Sequence, residues 1–129
     1  MLHFLLHLQD IDDHLAKSLL YLIRRDKAPE VVGAAAIALG PAIQMWDEDR
    51  GFEDLAVDFE EEGLSEETGQ EVMSELKAVY EDTERPKLVR RRCLEAAVRG
   101  PGTWQSLAVS ACYRTKDSDW LKTAVFCMG

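Results

Sequence analysis

Apolar residues recur along this chain at three- and four-residue intervals, and no stretch alternates with the period of two that marks a half-buried strand. The pattern predicts an all-α protein of about six to seven helices. Leu2 to Leu8 reads as a short apolar helix interrupted at Gln9-Asp10. Asp12 or Asp13 can cap a second, with Leu15, Leu19, Leu22 and Ile23 on one face and Arg24-Arg25 suited to its C-terminal end. A third opens at Pro29 and runs through an alanine-rich stretch toward Trp46, with a kink expected at Gly40-Pro41. Ser65 or Thr68 can cap a fourth, whose apolar stripe is Val72, Met73, Leu76, Val79 and Tyr80. Pro86 opens a fifth, with Val89, Cys93, Ala96 and Ala97 inward and Arg91, Glu95 and Arg99 spaced for i,i+4 pairing, and Gly100-Pro101-Gly102 ends it. Trp104, Leu107, Ala108 and Ala111 mark a sixth, and Leu121, Ala124, Val125 and Met128 mark the last.

Three of these helices align with one another when each starts just after its turn. Val31 to Gly40, Val89 to Val98 and Trp120 to Gly129 each begin with a large apolar residue and place small residues at their fifth (Ala35, Cys93, Ala124) and eighth (Ala38, Ala96, Cys127) positions. Small side chains there let another helix approach closely, as a stacked array of helix pairs requires. Each is preceded by an acidic approach, Asp26-Lys27-Ala28-Pro29-Glu30, Asp82-Thr83-Glu84-Arg85-Pro86 and Asp117-Ser118-Asp119. On these residues the chain resembles the HEAT-type helical repeat family, in particular short bacterial HEAT-like repeats related to phycobilisome-lyase proteins. Their second helix typically reads valine, arginine, two variable residues, alanine, two more, then alanine, leucine, glycine. The resemblance implies an α-solenoid of antiparallel helix pairs, an armadillo-like superhelix, over residues 1–129 as a single domain. The first two aligned units start 58 residues apart and the last two 31 apart. An acidic irregular insert or degenerate repeat is therefore expected at about 47–64.

Charge sharpens that boundary. The net charge is −9, but Asp47 to Glu84 carries 16 acidic and 2 basic residues, so the remainder is net basic. A composition 47% hydrophobic and 30% charged describes an ordered globular chain. The longest apolar stretches fall short of the ~20 residues of a membrane span, and Met1 to Leu8 lacks the basic flank and cleavage pattern of a signal peptide. A soluble, cytoplasmic protein without membrane contact is the expectation. Cys93, Cys112 and Cys127 are odd in number and contain no C-x-x-C pair, so they read as small core residues rather than disulfide, zinc or catalytic thiols.

Candidate chemistry is sparse. His3, His7, Asp10 and His14 would share a face only on a continuous helix, and Asp47 to Gly51 is not followed by the spaced ligands of an EF-hand loop, so no metal or cofactor is indicated. Phe52, Leu55, Val57 and Phe59 interleave with the acids and are read as folding back onto the array in preference to facing a partner. Neither a glycine-rich phosphate loop nor a nucleophile elbow is present. The basic run Arg85, Lys87, Arg90, Arg91, Arg92 and Arg99 is the best candidate for partner binding, with Arg90, Arg91, Arg92 and Arg99 as the expected binding residues, because guanidinium forks suit phosphate or carboxylate. The structural alternative, that these arginines neutralise the acidic segment, weighs more. A non-enzymatic protein-interaction scaffold is the functional expectation, its protein partner unidentified. The resemblance also implies two rivals, a lyase-type protein that handles a tetrapyrrole chromophore and a HEAT-like protein that cradles nucleic acid. Nucleic acid is disfavoured by the acidic balance. Both ends read apolar, Met1 to Leu6 and Val125 to Met128, so stacking onto a second copy or within a longer array is expected.

Overall fold

The computed structural model describes residues 11–50 and 63–129. Among these residues there are six helices and no strand: α1 (Asp13–Arg25), α2 (Pro29–Arg50), α3 (Glu66–Glu81), α4 (Lys87–Ala97), α5 (Trp104–Arg114) and α6 (Ser118–Met128). None is long and apolar enough to cross a membrane. The helix expected at Leu2 to Leu8 and the apolar residues Phe52, Leu55, Val57 and Phe59 lie outside the described residues.

Local sequence explains most of the ends. Asp12 caps α1 by accepting from the Leu15 amide at 2.9 Å, and Ser65 caps α3 by accepting from the Thr68 amide at 3.2 Å. The Ser65 amide in turn donates to Asp13 Oδ1 at 2.8 Å, tying the start of α3 to α1. Pro41 lies inside α2, which continues through it. Pro41 is exposed and lacks the N–H that would bond the Ile37 carbonyl. The acidic segment expected from residue 47 begins within this helix, since Asp47 to Arg50 form its last turn.

Consecutive helices pair as α1 with α2, α3 with α4 and α5 with α6. The second helices of the pairs also meet, α2 on α4 and α4 on α6. Because α2 packs directly on α4, the 58-residue spacing introduces no further layer between those two helices. Alanine and glycine permit that approach: a Cβ added at Gly33 would stand 3.1 Å from Arg92 Cγ, and one at Gly40 3.3 Å from Arg99 Cδ.

The main core joins α1 to α4 through Leu20, Ile23, Leu39, Ile43, Leu76 and Val89, all essentially inaccessible to solvent. A second cluster joins α4 to α5 and α6 through Leu94, Ala108, Cys112 and Ala124. Trp104 packs against both clusters. Two of the expected faces are rotated. On α5 the buried residues are Gln105, Ala108 and Cys112, while Leu107 is 74% exposed. On α6 they are Thr123 and Ala124, while Val125 and Met128 are 67% and 66% exposed. In both helices a polar residue with an internal partner takes a core position that an apolar pattern assigns to leucine, valine or methionine.

Candidate functional site: the arginine-rich face of the second helices

Each second helix is entered through the same turn chemistry. Asp26 accepts from the Ala28 amide at 2.8 Å, Asp82 from the Glu84 amide at 3.0 Å and Asp117 from the Asp119 amide at 2.9 Å. A short carboxylate bonding two residues ahead folds the chain back in each of the three turns.

With Val31, Val89 and Trp120 each taken as position 1, the contacts between second helices fall in one register. In the α2–α4 pair, positions 3 and 10 of α2 (Gly33, Gly40) meet positions 4, 8 and 11 on α4 (Arg92, Ala96, Arg99). In the α4–α6 pair, positions 3 and 7 of α4 (Arg91, Glu95) meet positions 0 and 4 on α6 (Asp119, Thr123). The second interface is polar at its centre. Glu95, 4% exposed, accepts from Arg92 Nη1 at 2.6 Å and from the Thr123 hydroxyl at 2.8 Å, and Thr123 Oγ1 accepts from Arg91 Nε at 2.9 Å. Lys87 Nζ extends the network at the rim with bonds to Asp117 at 2.8 Å and Asp119 at 3.3 Å. Those two bonds raise the Lys87 pKa, and the bond from Lys87 lowers that of Asp117.

The four arginines expected to bind a partner are thus put to different uses. Arg90 Nε donates to the Tyr80 carbonyl at 2.8 Å, and its guanidinium lies 5.8 Å from the Tyr80 ring centre and 5.3 Å from that of Trp120. It caps the end of α3 and fixes α4 against α6. Arg91 and Arg92 hold the network around Glu95 and Thr123. The i,i+4 pairing expected of Glu95 is replaced by an i,i+3 bond to Arg92, because Glu95 faces α6 rather than solvent. Arg99 stays exposed, with its aliphatic stem against Gly40. Sequence spacing brings out the arginine row but misses Thr123, whose burial is legible only once its place opposite Glu95 is known.

Beside Arg90, a cleft of about 200 Å³ is lined by Tyr80, Ala111, Cys112, Thr115 and Trp120. Burial raises the Cys112 thiol above its ordinary pKa, against a hydrogen bond from Tyr80 and the charge of Arg90. Burial pushes the thiols of Cys93 and Cys127 up to about 12, so none of the three is poised as a nucleophile. Among the described residues no group of three His, Cys, Asp or Glu side chains is placed to hold a metal ion. His14 is exposed, and His3, His7 and Asp10 lie outside the described residues. No family model, curated protein or solved structure matches the chain.

Proposed function

We propose that this chain is a non-enzymatic protein-interaction scaffold of the HEAT-like, armadillo-like kind, in which three antiparallel helix pairs stack as a short α-solenoid. The observation that carries this reading is the shared register, positions 3, 7 and 10 of one second helix against positions 0, 4, 8 and 11 of the next, entered each time through an aspartate turn. Such stacking yields an extended surface suited to a protein partner, and its interior leaves little room for catalysis. The exposed surface of the second helices includes Ile37, 40% exposed, on α2 and the exposed Arg99 just past α4. An exposed apolar residue and an exposed guanidinium favour an acidic, partly apolar polypeptide. Nucleic acid is a weaker reading, because Arg90, Arg91 and Arg92 are engaged within the molecule.

The test is an affinity capture with the natural sequence and with Arg99→Glu and Ile37→Glu variants, each first shown to keep its helical content. Arg99 is the cleaner probe, since charge reversal at Arg90 to Arg92 would break internal bonds. The scaffold reading expects a defined protein retained by the natural sequence, lost with both variants and indifferent to nuclease. Nuclease-sensitive capture, or no specific protein, would overturn it.

A further inference from the structure

Among the described residues, the same register leaves two faces without a counterpart. On the side of a second helix that meets the next, positions 6 and 7 are Ala36 and Ile37 in α2, Leu94 and Glu95 in α4, and Val125 and Phe126 in α6. Ala36, Leu94 and Glu95 are buried and Ile37 is 40% exposed, whereas Val125 and Phe126 are 67% and 53% exposed. Position 9 repeats the contrast, with Leu39 and Ala97 buried and Met128 66% exposed. On the opposite side of the layer, positions 0, 4, 8 and 11 of α2 are Glu30, Ala34, Ala38 and Pro41, of which Glu30, Ala34 and Pro41 are exposed.

Large apolar side chains project from α6, and small residues with a proline form the receiving surface on α2, the relation that lets helices approach closely. Charge agrees with shape. Between α4 and α6, position 3 and position 0 bring Arg91 Nη1 within 4.0 Å of Asp119 Oδ1. The corresponding pair across the free faces is Lys122 at position 3 of α6 and Glu30 at position 0 of α2, again basic to acidic.

We propose that the chain self-assembles head to tail, the α6 face of one copy docking on the α2 face of the next and continuing the second-helix layer. This rests on the stacked-pair reading above. The contact joins two different surfaces, so it propagates as an open series rather than closing as a symmetric dimer.

Sedimentation velocity on the purified chain tests it, with Phe126→Glu to block one face and Ala34→Glu to block the other. Both residues are exposed, so neither change should disturb the fold, and circular dichroism checks this. The natural sequence should form a concentration-dependent series of species. Each variant alone should sediment as a monomer. Mixed in equal amounts, the variants should form a one-to-one dimer, because each retains the face the other lacks. In the natural background, Lys122→Glu should weaken assembly at least tenfold and addition of Glu30→Lys should restore it. A folded natural chain that stays monomeric at several hundred micromolar would overturn self-assembly. Ala34→Glu that still pairs by itself would overturn the head-to-tail geometry in favour of α6 meeting α6. Neither result touches the capture test of the scaffold reading, which is read from a different protein.

Discussion

Replacing Glu95 with alanine tests whether the third helix pair is held by the polar network or merely decorated with it. The carboxylate is 4% exposed and accepts from Arg92 Nη1 and the Thr123 hydroxyl, which is itself fully buried. Removing one partner of a buried charged pair costs about 3–5 kcal/mol when the other is stranded. Arg92 is 33% exposed and can turn toward water, which lowers the expected loss to about 2–4 kcal/mol. For a chain of this length the corresponding fall in Tm is roughly 8–16 °C. Urea unfolding followed by circular dichroism measures the free energy directly. Glu95→Gln, which keeps an acceptor for Arg92 but presents an amide N–H to the Thr123 hydroxyl that now donates to Glu95 Oε2, should lose about 1 kcal/mol. A double-mutant cycle of Glu95→Ala with Thr123→Val should show a coupling of about 1 kcal/mol. A loss below about 0.5 kcal/mol for Glu95→Ala would refute the idea that this carboxylate holds α4 against α6.

Two further outcomes follow from the main core. A methyl group at Gly69 would fall inside the van der Waals surface of the buried Trp46 indole, so Gly69→Ala should destabilise by about 2–3 kcal/mol in urea titration despite the better helix propensity of alanine. A neutral or stabilising result would contradict the packing of α3 on α2. Cys93 is fully buried with its thiol pushed up to about 12. Its unfolded-state thiol ionises first as pH rises, so stability is full below about pH 8.5 and falls above it by up to about 1.4 kcal/mol per pH unit until the folded thiol also ionises. A Cys93→Ala variant should lose most of that alkaline slope, and native Cys93 should resist thiol reagents at pH 8 until the protein unfolds; fast labelling in the native state would contradict its burial.

Most helices were legible because capping residues and apolar period agree. Asp12, Ser65 and Pro29 mark starts that the structure keeps, and Cys93, Ala96 and Ala97 face inward as their spacing implies. The three segments that align in sequence lie on α2, α4 and α6, and α4 contacts both of the others. The faces of α5 and α6 were not legible, because their buried positions include Gln105, whose side-chain amide N–H donates internally, and Thr123, whose hydroxyl is hydrogen-bonded internally. Gln105 Nε2 donates to the carbonyls of Ala97 and Pro101 at 3.1 and 3.0 Å, closing the end of α4, a role no hydrophobic pattern records. The basic run shows the same limit from the other side. Four arginines look alike in the sequence, yet Tyr80, Thr123 and Glu95 occupy three of them, and only their positions on three separate helices decide which remains exposed.

Native-state hydrogen exchange is the most direct test of the stacked-pair account. The α5–α6 pair rests on the rest of the molecule through Leu94, the Glu95–Thr123 network and the Tyr80, Trp104 and Trp120 rings, a smaller contact than the one joining α1 to α4. Its slowest amides should therefore exchange through one shared opening of lower free energy than the slowest amides of α2 and α4. Glu95→Ala should lower the free energy of that opening by about 2–4 kcal/mol. A single free energy and a single urea dependence for all slow amides from α1 to α6 would mean one indivisible bundle, and would contradict the account.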